Sequence, residues 1–372
     1  MSTNPNSNKS NQIRFREYIE KIATGPRQSK DLTEDEARDA LTLILNGEIS
    51  PVRSAIFLIA IRMKRETTEE NVGIWRAMND TTVKHLAKVE KLLQVSEPFD
   101  GTKRTPSFGF YAIPIIARLG LPCYGHSAKT LPPKSGITFQ EILTHHYEVS
   151  SASSIDIDHL EKEGFCFVEL NQSHPRLEAL RTLREEMVKR SALATFEKMP
   201  APISAEGGSN FLATTYFHKG YEIPMIAAAR FSGFKKTIIG NGLESTTLFG
   251  VHKRATLFTV SCEGEIKEQT LTVGDKLEKK DANKVHSSLQ EFKNERIKLS
   301  TLADFGEQAL RNGKGPAAPL IAWHAGSIAC LCGIFPTFQK GYRAAKEILT
   351  NGKAYSGLMN YLERSTRSSK IN

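Results

Sequence analysis

The feature that most narrows the fold of this chain is a change of period near residue 90. Up to about residue 88, apolar residues recur only at helical spacing. Thr33 caps one helix, with Glu34 and Glu36 in its first turn and a stripe of Ala37, Ala40, Leu41, Ile44 and Leu45. Asn46-Gly47 ends it, and Ser50-Pro51 opens the next, with proline in the first turn where its missing N–H costs nothing. That next helix, 52–64, is apolar on most faces, which predicts burial between partners and a subunit contact. Segments 13–25 and 67–78 complete the helical unit. From Leu92 onward short strands alternate with helices: strands at 121–124, 165–170, 237–239 and 256–260, helices at 107–119, 138–147, 174–190, 222–234 and 302–311. Three last helices follow at 316–332, 337–349 and 355–364. Alternation of this kind predicts a mostly parallel sheet with crossover helices.

The expected class is therefore α/β, a small all-helical N-terminal domain followed by a large mostly parallel sheet flanked by helices. The expected organisation is a disordered tail over 1–12, a helical dimerisation domain over 13–88, an α/β phosphate-binding domain over 89–364 and a basic tail over 365–372. Residues 196–221, rich in Pro, Gly and Ser, read as a long surface excursion. Residues 262–300, dense in Lys and Glu, read as a charged one.

Chemistry concentrates in 99–136. A tight turn carrying two cations, Asp100-Gly101-Thr102-Lys103-Arg104, precedes an apolar helix and a short strand. Gly125-His126 then leads into a second polar loop containing Lys129 and ending in Lys134-Ser135-Gly136. Two small-residue loops beside one strand predict an anion pocket, with backbone N–H groups facing the ligand and lysines supplying charge. Arg118 and the aromatic residues Phe108, Phe110 and Tyr111 lie close by in sequence, and the rings are candidates for either base stacking or core.

The balance of charge agrees with such a pocket. The chain of 372 residues carries a formal net charge of +9, with an isoelectric point near 9.2, and an excess of this size favours polyanionic partners. Lys235-Lys236 and Lys253-Arg254 are further basic pairs. The five cysteines, an odd number, read as free thiols of a reducing compartment, and Cys330 and Cys332 as packing thiols. His145 and His146 point about 100° apart on a helix and have no acidic cluster beside them, so surface or packing roles are expected. No apolar run is long enough to span a bilayer, and the polar N-terminus lacks a signal-peptide core. A cytoplasmic protein without membrane contact is expected.

Several blocks then resemble one family. Ile44-Leu45-Asn46-Gly47-Glu48-Ile49-Ser50-Pro51 with Ala60-Ile61-Arg62-Met63-Lys64, and Ala345-Lys346-Glu347-Ile348 with Asn351-Gly352-Lys353-Ala354, look like the two ends of an anthranilate phosphoribosyltransferase, of glycosyltransferase family 3. Between them Tyr124-Gly125-His126, Lys134-Ser135-Gly136, His174-Pro175, Arg184-Glu185 and Gly242-Leu243-Glu244 fall where that family places its His-Gly-Asn, Lys-Ser-Gly-Ser, His-Pro, Arg-Arg-Glu and Gly-Leu-Asp-Glu blocks. The resemblance implies the nucleoside phosphorylase/phosphoribosyltransferase class of fold, a homodimer, and a ligand site built from Gly101, Thr102, Gly125, His126, Lys134, Ser135 and Arg184, with Glu244 as a metal ligand. His174 matches a position at a turn near the acceptor pocket, where a structural role is expected.

The same comparison shows departures. The family's Gly-Thr-Gly-Gly-Asp loop, which binds the pyrophosphate of phosphoribosyl pyrophosphate, is here Gly101-Thr102-Lys103-Arg104-Thr105. Its Asn-x-Ser-Thr block has no counterpart between Phe108 and Pro114, its Asp-Glu metal pair is Glu244-Ser245, and the asparagine after His-Gly is replaced. Acids and glycines are lost while Lys103, Arg104, Arg118 and Lys129 are gained, which suits a phosphate backbone neutralised without a metal. Three readings follow. The first is a diverged paralogue that binds single-stranded DNA or RNA as a dimer and requires no cofactor. The second is a transferase moving phosphoribosyl from phosphoribosyl pyrophosphate to anthranilate or another aromatic nitrogen, with magnesium. The third is a sensor that keeps the pocket without the chemistry.

Overall fold

In the computed structural model, residues 5–25, 27–150, 154–292 and 296–371 are described. Four helices lead the chain: α1 (Pro5–Ile22), α2 (Glu34–Leu45), α3 (Pro51–Lys64) and α4 (Thr68–Thr81). Their boundaries follow local chemistry. Thr33 and Thr67 each close a reciprocal capping box, with Glu36 and Glu70 respectively. Ser50 caps α3, with Pro51 at its first position. Glu70 does more than cap: fully buried, it accepts from the Leu32 and Thr67 N–H groups and pairs with Lys64 at 2.9 Å.

Beyond the bundle the strands are β1 (His85–Ala87), β2 (Lys91–Ser96), β3 (Cys123–Ser127), β4 (Phe165–Glu169), β5 (Ile203–Ala205), β6 (Ser209–Thr215), β7 (Lys236–Gly240), β8 (Ala255–Ser261) and β9 (Ile266–Leu271). β1 pairs only with β5; the rest form one sheet of order β4-β3-β2-β6-β7-β8-β9, parallel from β4 to β7, with β8 and β9 added antiparallel. The expected class, helical domain plus mostly parallel sheet, is the observed one. The chain runs outward from β2 to β4, then returns to lay β6 on the other side of β2. The crevice at the carboxyl ends of β2 and β6 is therefore a topological switch point, where open α/β sheets bind ligands.

Several sequence expectations are corrected. Within the expected tail 1–12, residues 1–4 lie outside those described, and from Pro5 the backbone is already α1. Likewise 365–371 continue the last helix, Lys353–Ile371, and only Asn372 falls outside the description. Residues 196–221 are no excursion: they contain β6, a central strand whose Phe211–Thr215 half is buried. Residues 262–300 contain β9 and the helix Lys279–Glu291. Phe108, Phe110 and Tyr111 are core, each about 1 % exposed or less; Phe110 stacks on Phe167 with centroids 4.4 Å apart.

Two C-terminal helices, Ala317–Leu331 and Phe338–Thr350, cross where glycine faces glycine. A Cβ on Gly326 would stand 2.5 Å from the Gly341 backbone, and one on Gly341 would stand 2.5 Å from Gly326 O. The backbones approach too closely for any side chain. Gly326→Ala is expected to destabilise the fold by about 1–3 kcal/mol, the usual penalty of overpacking, as read from the shift of a urea unfolding midpoint.

Candidate anion-binding site

The loop leaving β2 opens the crevice. Gly101 takes a left-handed φ of +69° and a Cβ there would lie 2.5 Å from Gly136, so only glycine fits. Gly136, on the loop leaving β3, is pressed against Thr102 in the same way. Around this contact the two loops exchange hydrogen bonds: Thr102 N–H to Ile137 O at 3.0 Å, Ile137 N–H to Thr102 O at 2.8 Å, Gly136 N–H to Asp100 O at 2.8 Å and Leu131 N–H to Phe99 O at 3.1 Å. Sequence reasoning placed both loops at one pocket, and the structure joins them.

Fixed in this way, the turn aims two successive backbone N–H groups, Lys103 and Arg104, at one point. Glu244 occupies that point from the loop leaving β7. Its carboxylate accepts from Lys103 N–H at 3.1 Å, Arg104 N–H at 2.9 Å and Thr105 Oγ1 at 2.8 Å. Lys134 Nζ lies 3.7 Å away and Arg104 Nε 3.8 Å. Burial opposes ionisation here, yet the donors of Arg104, Thr105 and Lys103 and the charge of Lys134 outweigh it and hold the carboxyl below its ordinary pKa. Glu244 and Ser245 both take positive φ, 48° and 68°, a region non-glycine residues seldom enter.

A second carboxylate lies behind the first. Glu97, at the carboxyl end of β2, accepts from Thr247 N–H at 2.8 Å, Thr247 Oγ1 at 2.9 Å and Ser107 Oγ at 2.8 Å, and its burial pushes its pKa up. Asp100 is bound by Arg190 through Nε at 3.0 Å and approached by Lys134 at 3.7 Å. Lys198 is buried and donates to Thr215 O at 2.6 Å, with its pKa lowered to about 8 by burial. Thr105, Glu97, Arg190 and Lys198 escaped sequence reasoning. The basic pair Lys189-Arg190 was the one legible signal among them.

Outside this neutralised interior the rim is cationic. Arg104 has 76 % of its side chain exposed. Lys129 and Lys189 are exposed on neighbouring loops, as are Lys253 and Arg254 after β7 and Lys219 after β6. Phe217, 55 % exposed, shares the β6 loop. A cleft of about 240 Å³ beside Lys103 is lined by Thr130, Ser135, Glu141 and Arg296. Lys235-Lys236 open β7 and so lie at the opposite edge of the sheet from Lys253-Arg254.

Other expected site residues lie elsewhere. His126 is buried, with Nδ1 3.2 Å from Gln94 Nε2 and Nε2 3.0 Å from Ser173 Oγ. Gly125 is covered by the Phe139 and Phe167 rings. Arg184, 9 % exposed, is taken up by a 2.6 Å ion pair with buried Glu197. Arg118 pairs with Glu163 at the far end of its helix, Gly109–Arg118. His174 caps a short helix through Nδ1 and ties it to Thr81 through Nε2. His145 and His146 each meet one glutamate, Glu141 and Glu307.

The donor set does not suit magnesium. Hard cations take several carboxylate, carbonyl or water oxygens, whereas both Glu244 oxygens face donors and cations, Ser245 stands beside it, and Asp100 is held by Arg190 and Lys134. Among the described residues no cluster of three or more His, Cys, Asp or Glu could hold a metal.

Comparison with known proteins agrees with the architecture. Residues 16–82 match the model of the glycosyl transferase family, helical bundle domain. An anthranilate phosphoribosyltransferase of Methylocella silvestris is 24% identical over 355 residues, covering 94% of this chain and 95% of that enzyme. An uncharacterised protein of Aquifex aeolicus is 29% identical over 215 residues, 58% of this chain and 64% of that protein, so the match spans just under two thirds of it. The yeast anthranilate phosphoribosyltransferase, solved in complex with phosphoribosyl pyrophosphate and magnesium, superposes with a TM-score of 0.74 at 18% identity, covering 96% of this chain and 99% of that one.

Burial lowers the pKa of His126 and His324 to about 3 and that of His174 to about 4. All three stay neutral in the fold at pH 5, while an unfolded chain begins to take up protons near pH 6.5. The unfolded state then binds more protons, so stability is present above pH 6.5 and is lost as pH falls towards 4. The loss approaches roughly 1.4 kcal/mol per pH unit for each histidine. Thermal midpoints measured between pH 7 and pH 4.5 should fall accordingly.

Proposed function

Because this chain belongs to the anthranilate phosphoribosyltransferase family, we propose that it keeps the family's anion-binding crevice for the phosphates of a single-stranded nucleic acid and does not transfer phosphoribosyl groups. The observation that carries the reading is the division of charge at the crevice. The inner carboxylates are committed to hydrogen bonds and ion pairs, and the outer cations face solvent. Phosphoribosyl transfer needs charge compensation for a leaving pyrophosphate, and here Glu244 supplies a negative charge where that group would sit. A polyanion lying along the rim needs neither the metal nor the inner pocket. Exposed Phe217 offers a ring for base stacking at the same edge.

The transferase reading has the named relatives in its favour. The Methylocella enzyme matches nearly the whole chain, and Lys134 and Ser135 persist on the second loop. On that reading the Lys103 and Arg104 N–H groups and Lys134 would hold the pyrophosphate, with magnesium supplying further charge compensation. Incubation with anthranilate, phosphoribosyl pyrophosphate and magnesium separates the two readings. Neither loss of anthranilate fluorescence nor release of pyrophosphate is expected; turnover at ordinary enzyme rates would establish the transferase.

For nucleic acid, affinity for an oligothymidylate should fall steeply as salt is raised. The Lys103→Ala/Arg104→Ala double variant should flatten the plot of log affinity against log salt by about one to two units, since each phosphate neutralised on a single strand contributes about 0.7. Fluorescence anisotropy measures both slopes, and identical slopes would remove the loop from the interface.

We also propose a homodimer through the helical bundle. On α3, Val52, Ile56 and Met63 are 69 %, 46 % and 76 % exposed and recur at helical spacing, forming an apolar stripe that a second copy would cover. Light scattering should return twice the 41.3 kDa of one chain. A single-chain mass at micromolar concentration would count against the dimer.

A further inference from the structure

We propose that Glu244 is a built-in occupant of the anion nest, displaced by an incoming phosphate group, and that its role is not metal ligation. The inference deepens the reading given above and rests on it for the identity of the ligand. The donors around Glu244 are those of a phosphate site: two successive backbone N–H groups, a hydroxyl and an ammonium group. Three of the four groups cannot ligate a cation, and the fourth, the Thr105 hydroxyl, is turned to donate to the carboxylate. The carboxylate is therefore seated as an anion among donors.

Two further observations mark the seat as built. Positive φ at both Glu244 and Ser245 brings the carboxylate inward, and such strain persists where the surroundings impose it. Here the neighbours impose it: Gly242 admits no Cβ, which would stand 1.8 Å from Thr246 O, Thr215 Oγ1 donates to Ser245 O at 2.7 Å, and Thr247 is held by Glu97. The opposing side is fixed too, because the Gly101–Gly136 contact prevents the turn from retreating. Two rigid halves meet through one exchangeable anion.

A carboxylate fills this site with two oxygens and one charge. An internal phosphodiester matches it in both, a terminal phosphate or pyrophosphate brings more oxygens and more charge, and Lys134 and Arg104 are already within 4 Å to receive either. Glu244 thus acts as an internal competitor, raising the threshold for small phosphates. A polymeric ligand, already gathered by the rim cations, can deliver a phosphate at high local concentration.

The test titrates inorganic pyrophosphate, in EDTA and separately in magnesium, into the full-length parent, Glu244→Ala and Glu244→Gln by calorimetry, with an oligothymidylate titration alongside. Glu244→Ala should bind pyrophosphate in EDTA about tenfold tighter than the parent, within the usual range of coupling between ligands, and Glu244→Gln should gain less because its amide oxygen still accepts. In a metal-ligand role the sign reverses: Glu244→Ala would weaken pyrophosphate binding in magnesium, and that result overturns the proposal. Unchanged pyrophosphate affinity in a folded Glu244→Ala also overturns it. If Glu244→Ala fails to fold, amide shifts of Lys103 and Arg104 in the parent on adding pyrophosphate decide, and their absence up to saturating pyrophosphate sinks the idea. Tighter pyrophosphate binding without any oligothymidylate binding keeps the displaced carboxylate and refutes the nucleic-acid reading, so the two failures are told apart.

Discussion

Two backbones in contact, at Gly101 and Gly136, fix the position of every charged group in the crevice. Because neither residue has a Cβ, the loop from β2 and the loop from β3 close on each other and exchange main-chain hydrogen bonds. The turn that follows has no freedom to choose where its N–H groups point. Glu244, Asp100 and Lys134 then arrange themselves around those donors. A side chain at either glycine would separate the loops, and with them the donors, without touching any charge.

That geometry sorts the chain's excess positive charge into two populations. Lys134 and Arg184 are largely buried and within 4 Å of a carboxylate, and Lys198 is buried against a carbonyl. They hold the crevice together and are poorly placed to attract anything from solution. Arg104 and Arg190 bridge the two groups, each within 4 Å of an inner carboxylate yet exposed. Lys129, Lys189, Lys219, Lys253 and Arg254 are exposed at the carboxyl edge of the sheet, where their field is screened by water and salt. A formal charge of +9 says little by itself; its distribution across one sheet edge gives it a direction.

The fold was legible wherever sequence period was strong. The helical bundle, with its cap at Thr33, and the alternation after Leu92 were plain in the residues. β6 was not, because its apolar core, Phe211 to Ala213, sits between a Gly-Gly pair and polar residues that read as loop, and a strand buried on both faces carries no alternation. At the site, the meeting of the two glycine loops beside Lys134 was legible. The inward turn of Glu244 was not, since it depends on a main-chain conformation that composition does not encode. His126 and Arg184 illustrate the opposite error. Their types suit a ligand, but β3 and the helix Arg181–Met187 place them against Gln94, Ser173 and Glu197 inside the protein.

One hydrophobic cluster contains Phe57 and Trp75 of the bundle together with Phe99, Ala128 and Leu131 of the two crevice loops. The bundle and the mouth of the crevice are therefore one mechanical body. A cut at residue 82, where the matched helical segment ends, would divide that cluster and expose apolar surface on both sides of the break. The two parts share one core, so a displacement of the bundle has to be accommodated by the same cluster that seats the crevice loops.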